Sequence, residues 1–144
     1  MQLLDIAYRR APRGEMQRKT ASMVTGVAGV EDDAKRRAGK RQVTVLSIEQ
    51  WQEACSELDT VLPWTIRRAN LLVQGLSFGP QHVGKQLIIG ALHLLITGET
   101  DPCPKMDAQC QGLTQALVPN WRGGVCCRVL CDGRIHLGDR IVLK

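Results

Sequence analysis

Short apolar runs alternate with polar positions along the chain, and glycine, proline or charged stretches separate them. Runs with a period of two residues are typical of half-buried strands. The two final runs are joined by Asp132-Gly133, a pair that favours a hairpin turn. The pattern predicts strands at residues 3–8, 23–30, 42–46, 70–74, 86–89, 91–97, 124–130 and 134–143.

Two segments carry apolar residues at helical spacing instead. Ser47 with Gln50 three positions later forms a capping box, which predicts that a helix begins there. A second helix is expected from Pro104 to about Val118, because proline suits the first turn. Gly112 weakens that helix by about 1 kcal/mol relative to alanine, so a break there is possible.

These elements favour one domain, residues 1–144, that is mainly β. The two helices do not alternate regularly with the strands, which argues against a doubly wound α/β sheet. We expect a closed, mostly antiparallel β-barrel with about two short helices. Apolar positions on the alternating strands should form its interior: Leu87, Ile89, Leu94, Ile96, Val125 and Ile141.

Positive charge is concentrated in the first third of the chain. Residues 1–44 hold ten Lys and Arg against five Asp and Glu, whereas residues 45–144 hold nine of each. Such a region indicates either an anionic partner or a solubilising face. Aromatic residues are scarce and no nucleic-acid motif is present, so a phosphate-bearing small molecule is preferred to nucleic acid. The basic residues are Arg9, Arg10, Arg13, Arg18, Lys19, Lys35, Arg36, Arg37, Lys40 and Arg41.

The chain begins without a signal-peptide pattern and has no apolar stretch of transmembrane length. We therefore expect a cytoplasmic protein that does not contact a membrane. Thiols stay reduced in that compartment, so no disulfide is expected. The chain has six cysteines: Cys55, Cys103, Cys110, Cys126, Cys127 and Cys131.

One cysteine stands out for its surroundings. Cys103 lies between Pro102 and Pro104, each of which fixes its own φ, and Pro104 also favours an extended Cys103. If Pro104 opens a helix, the helix dipole would favour the thiolate of Cys103, and Lys105 would add to this effect. The residues alone leave open whether Cys103 is functional or an ordinary turn residue.

Other chemistries find less support. A structural zinc site would need a C-x-x-C pair or a similar cluster, and no cysteine spacing here has that form. A cysteine hydrolase would need a histidine near Cys103, and nothing selects His82, His93 or His136. A G-x-S-x-G elbow, a Walker A motif and a dinucleotide-binding glycine pattern are all absent from the sequence.

The order of several motifs resembles the MOSC family, named for the C-terminal domain of molybdenum cofactor sulfurases. R-A-N-L-L-V-Q-G at 68–75 is followed by the Gly-bounded hairpin at 83–97 and then by Asp-Pro-Cys at 101–103. The stretch at 122–140 is similar to the closing strands of the family, and residues 40–47 fit the segment before its first helix. The resemblance covers nearly the whole chain and rests on the order of these motifs.

The resemblance implies a β-barrel that binds molybdopterin, with Cys103 as the thiolate ligand to molybdenum. It also implies that Arg68 and Asn70 hold the cofactor and that basic N-terminal residues, Arg41 among them, pair with the pterin phosphate. Family members include sulfurase domains, mitochondrial amidoxime-reducing proteins and small bacterial proteins that reduce N-hydroxylated compounds. Many carry histidines in the second loop, whereas residues 29–37 here have none.

Three functions remain open at this point. The chain is a molybdenum-dependent oxidoreductase with electron-donor partners, or a sulfur transferase whose Cys103 carries a persulfide from a donor protein, or a non-catalytic binding module. The resemblance does not extend to the desulfurase domain of the sulfurases, so pyridoxal phosphate is not expected. Molybdenum and pterin in purified protein would separate the first two, and a Cys103→Ser variant with unchanged activity would indicate the third.

Overall fold

The computed structural model describes residues 1–34 and 38–144, so the basic residues Lys35, Arg36 and Arg37 lie outside the described residues. The strands are β1 (Gln2–Tyr8), β2 (Gln17–Lys19), β3 (Ala21–Thr25), β4 (Gly29–Val30), β5 (Val43–Ser47), β6 (Leu71–Gln74), β7 (Gln86–Ile89), β8 (Leu92–Glu99), β9 (Val125–Cys131), β10 (Gly133–His136) and β11 (Ile141–Leu143). The α-helices are α1 (Ile48–Glu57) and α2 (Leu113–Leu117). Short 3-10 helices are Trp64–Arg67, Pro80–His82, Pro104–Ala108 and Pro119–Trp121.

The strands form two sheets. The larger has eight strands in the order β11-β7-β8-β9-β5-β6-β1-β2, and the smaller has the order β10-β3-β4. β5 and β6 run parallel, and the other pairings between described strands are antiparallel. The fold is therefore mainly β with a mixed sheet and two α-helices.

The expected closed barrel is wrong, because neither sheet in the described part of the chain closes on itself. β2 continues past Thr20 into β3, and β9 turns at Asp132 into β10, so both strand pairs divide between the two sheets. An isolated bridge between Gln2 and Arg140 links β1 to the segment before β11, but the edge strands β11 and β2 do not pair with each other.

The core lies between the two sheets. All six predicted interior residues are buried, and each belongs to one apolar cluster that also contains Val24 and Ile135 from the smaller sheet. A second cluster packs the helices on the outer face of the larger sheet, where Trp51 and Leu117 meet Leu46 and Leu72. The helices therefore cover one face of the sheet, and the smaller sheet covers the other.

The start of α1 confirms half of the predicted capping box. Ser47 Oγ accepts a hydrogen bond from the Gln50 amide at 3.3 Å. The Gln50 side chain does not return to the cap, because it donates to the carbonyls of Phe78 and Asn120 and accepts from the Phe78 amide. This buried amide thus ties α1 to two loops.

The described residues contain no helix long and apolar enough to cross a membrane. All six cysteines are free thiols, and Cys103 and Cys131 are the exposed ones among them.

Candidate functional site

Cys103 is exposed on a loop whose backbone is held from both sides. Its φ of −96° and ψ of 140° are extended, as Pro104 predicts. Its carbonyl accepts hydrogen bonds from the Met106 amide at 2.9 Å and from Thr114 Oγ1 at 3.0 Å. Its side chain makes no capping hydrogen bond. The thiol is therefore presented on a fixed backbone.

The segment after Cys103 is not the continuous helix that the sequence predicts. Pro104–Ala108 is a 3-10 helix, and α2 begins only at Leu113. The chain breaks at Gly112, which has a φ of +86°, a left-handed conformation that glycine adopts without steric cost. A five-residue 3-10 helix has no substantial dipole, so the expected helix-dipole effect on Cys103 has no structural basis.

Arg67 lies beside this loop, although no pattern in the sequence marks it as a site residue. Its Nε donates to the Gly123 carbonyl at 3.0 Å, and its Nη2 donates to the carbonyls of Thr100 at 2.8 Å and Asp101 at 3.3 Å. The side chain is buried. The Arg67 side chain therefore connects the segment after β8 to the segment before β9. One of its partners, Asp101, lies two residues before Cys103.

The charges around Arg67 form a small network. Burial lowers the pKa of Arg67, while the nearby Asp101 and Glu99 carboxylates act in the opposite direction. Burial raises the pKa of Glu99, and the charge of Asp101 and a hydrogen bond with its side chain raise it further. The loop that carries Cys103 is thus surrounded by ionisable groups of both signs.

A groove of about 620 Å³ borders the 3-10 helix that follows Cys103. Arg68 lies in this groove, and its guanidinium donates to the Gly14 carbonyl. Burial lowers the pKa of Arg68, and the neighbouring positive charge of Arg9 lowers it further. Four of the groove's ten lining residues are cationic and one is a glutamate: Arg9, Arg13, Glu15, Met16, Thr65, Ile66, Arg68, Lys105, Met106 and Gln109.

Asn70 is buried and its side chain is fully used within the protein. Its Oδ1 accepts from the Thr44 amide and hydroxyl, and its Nδ2 donates to the Ala7 carbonyl and to Asp33 Oδ2. A further hydrogen bond to a cofactor would have to replace one of these. Arg41 is exposed just before β5, and the lining of the groove does not include it.

β8, which ends shortly before Cys103, and β6, which begins just after Asn70, are not neighbours in the sheet. β9 and β5 separate β8 from β6, and the pairings make β8 and β6 parallel. The stagger of the sheet nevertheless places Glu99, Val125, Val45 and Leu71 in one cross-strand row. The end of β8 and the start of β6 therefore lie in the same row of the sheet.

Within the described ranges, no group of three or more His, Cys, Asp and Glu side chains is arranged to hold a metal ion. A metal at Cys103 would therefore take most of its ligands from a cofactor rather than from the chain.

The chain belongs to the MOSC domain family, whose sequence model matches residues 11–142.

Solved structures show the same fold at low sequence identity. The YuaD protein from Bacillus subtilis superposes with a TM-score of 0.79 at 19% identity, over 99% of this chain and 94% of that one. YiiM from Geobacillus stearothermophilus gives 0.78 at 17% identity, over 99% and 74% of the two chains. YiiM from Escherichia coli gives 0.73 at 17% identity, over 100% and 70%. A search of curated proteins found no significant match.

Proposed function

We propose that this MOSC-domain protein binds the molybdenum cofactor and that Cys103 is the protein ligand to molybdenum. A thiolate is a soft ligand of the kind that such a metal accepts together with the dithiolene sulfurs of the pterin. The observation that carries the proposal is an exposed thiol on a fixed loop, two residues before Lys105, which lines a groove together with three arginines.

The charges of the groove support the part of the proposal that concerns binding of the pterin phosphate. Four cationic side chains, Arg9, Arg13, Arg68 and Lys105, face one glutamate, Glu15. Guanidinium groups bind phosphate through paired, charge-assisted hydrogen bonds. Lys105 is two residues beyond Cys103, so their Cα atoms lie within about 7.6 Å of each other. A ligand with a sulfur-bound metal at one end and a phosphate at the other fits this sequence of groups.

The roles of the protein groups follow from their contacts. The cofactor, when bound, would supply the redox chemistry, such as reduction of an N-hydroxylated compound with electrons from a donor protein. Cys103 would anchor the metal, and the fixed loop would orient it. Arg68 would hold the phosphate. Direct cofactor contacts from Asn70 and Arg41 stay predictions.

A sulfur carrier is the second candidate, because an exposed thiol also serves that chemistry. The Cys103 thiolate would attack the outer sulfur of a donor persulfide, forming a persulfide on Cys103 and releasing the donor thiolate. This function needs the thiol but gives no role to the cationic groove, so cofactor binding accounts for more of the site.

Molybdenum and pterin content after expression in a cofactor-producing host tests the proposal. We expect both in the native protein, no molybdenum above background in Cys103→Ser, and native content in Cys131→Ser, a matched exposed cysteine. Lys105→Glu should lower the pterin content by reversing one charge of the groove. Full molybdenum content in Cys103→Ser would refute the proposal, and a sulfane sulfur on Cys103 without molybdenum would favour the carrier.

A further inference from the structure

We infer that Arg67 is the positioning residue of Cys103: it clamps the end of β8 to the start of β9 and so fixes the loop that presents the thiol. The inference rests on the proposed function only in taking Cys103 as the working thiol. Arg67 itself does not line the groove and is not expected to touch the cofactor.

The hydrogen bonds of Arg67 reach two chain segments at once. Nε of the guanidinium contacts Gly123, just before β9, and Nη2 contacts Thr100 and Asp101, just after β8. Hydrogen bonds from a charged donor are about twice as strong as neutral ones, and the planar fork of arginine holds several acceptors in fixed positions. A lysine cannot reproduce this arrangement.

Gly123 leaves the space that the clamp needs. A Cβ at this position would lie 2.7 Å from the Thr100 carbonyl oxygen and 3.2 Å from Arg67 Nη2. An alanine there would therefore push Thr100 and the guanidinium apart. Gly123→Ala thus disturbs the clamp without removing the charge of Arg67.

The loop transmits this restraint to Cys103. Asp101 is joined to Cys103 through Pro102, whose ring fixes its φ. Beyond Cys103, the Met106 amide and the Thr114 hydroxyl bind its carbonyl. Cys103 is therefore held between the Arg67 clamp on one side and the 3-10 helix on the other, and loss of either support frees its backbone.

Arg122 offers a matched control. Arg67 and Arg122 are both only 8% exposed. Arg122 instead binds Glu57 at the end of α1 and the Ala116 carbonyl in α2. Arg122→Met removes these contacts but leaves the three hydrogen bonds of Arg67 in place, so it should affect Cys103 only through α2, and more weakly.

Amide hydrogen exchange measured without cofactor tests the inference, and the Met106 amide is the reporter because it donates to the Cys103 carbonyl. We expect exchange at Met106 to become about tenfold faster in Arg67→Met, Arg67→Lys and Gly123→Ala, and to change much less in Arg122→Met. Failure of Arg67→Lys to restore slow exchange would show that geometry rather than charge is required. With cofactor, the first three variants should lose molybdenum faster than the native protein.

Unchanged exchange at Met106 in the folded Arg67 or Gly123 variants would overturn the inference, and so would an equal increase in Arg122→Met. If Arg67→Met does not fold, Gly123→Ala supplies the same comparison. Full molybdenum content in Cys103→Ser would refute the proposed function but would leave the exchange result intact, so the two failures are distinguishable.

Discussion

Asn70 and Thr44 join β5 to the chain just before β6 through both their backbones and their side chains. Asn70 Oδ1 accepts from the Thr44 amide at 3.1 Å and from its hydroxyl at 3.3 Å. In return the Asn70 amide donates to Thr44 Oγ1 at 3.1 Å and to its carbonyl at 3.0 Å. Because β5 and β6 are the parallel pair of the sheet, this contact fixes the point where their pairing starts.

The first prediction is that Asn70→Ala destabilises the fold. It leaves the buried Thr44 amide without its side-chain acceptor, and one such loss costs about 1–3 kcal/mol. We expect the free energy of unfolding in urea to fall by about 3 kcal/mol. Gln74→Ala, at an exposed position of β6, should change it by less than about 0.5 kcal/mol. Native stability with lost molybdenum would instead assign Asn70 to direct cofactor binding.

The second prediction concerns Arg13, which has a φ of +64° in the wall of the groove. A left-handed backbone costs a residue with a Cβ roughly 1–2 kcal/mol. Arg13→Gly and Arg13→Ala both remove the charge, but only glycine relieves the backbone. We expect both variants to lose pterin equally. In urea unfolding, the free energy of unfolding of the glycine variant should exceed that of the alanine variant by about 1 kcal/mol.

Equal stability of these two variants would contradict the strain at Arg13, and native pterin content in both would remove Arg13 from the phosphate site. Arg128→Ala, which removes an exposed charge from β9, is the control for a general effect of net charge.

Local patterns in the sequence predicted most strands, because alternation of apolar residues reports which face is buried. The hairpin of β7 and β8 and the buried positions Leu87 and Leu94 are confirmed. The closed barrel was wrong because closure depends on whether the edge strands β11 and β2 meet, and no local pattern encodes this. The predicted last strand divides at Gly138 into β10 and β11, which belong to different sheets.

The site shows the same limit. The extended backbone of Cys103 was predictable because Pro104 restricts its neighbour directly. Arg67 was not, because an arginine next to Arg68 has no feature in the sequence that marks it as buried. Its partners, Thr100 and Gly123, are more than thirty residues away along the chain, so only the folded sheet brings them together.

The third prediction is a change in pH dependence from Glu99. Burial raises the pKa of Glu99 in the folded protein, and its neighbour Asp101 raises it further. The folded protein therefore favours the protonated form of Glu99. The contribution of this group to stability is complete below its unfolded pKa, near 4.3, and is lost as pH rises through the folded pKa. Glu99→Gln removes this dependence, so the variant should gain stability relative to the native protein between pH 4 and pH 8, measured by urea unfolding.

Glu57→Gln provides a control of opposite sign. A hydrogen bond from Arg122 lowers the pKa of Glu57, so its contribution to stability is present above its unfolded pKa and is lost as pH falls through the folded value. Glu57→Gln should therefore lose stability relative to the native protein as pH rises toward the unfolded pKa of glutamate, and should change no further above it, where Glu99→Gln begins to gain stability. Parallel pH profiles for the two variants would show that Glu99 does not feel the burial and the Asp101 charge that the structure gives it.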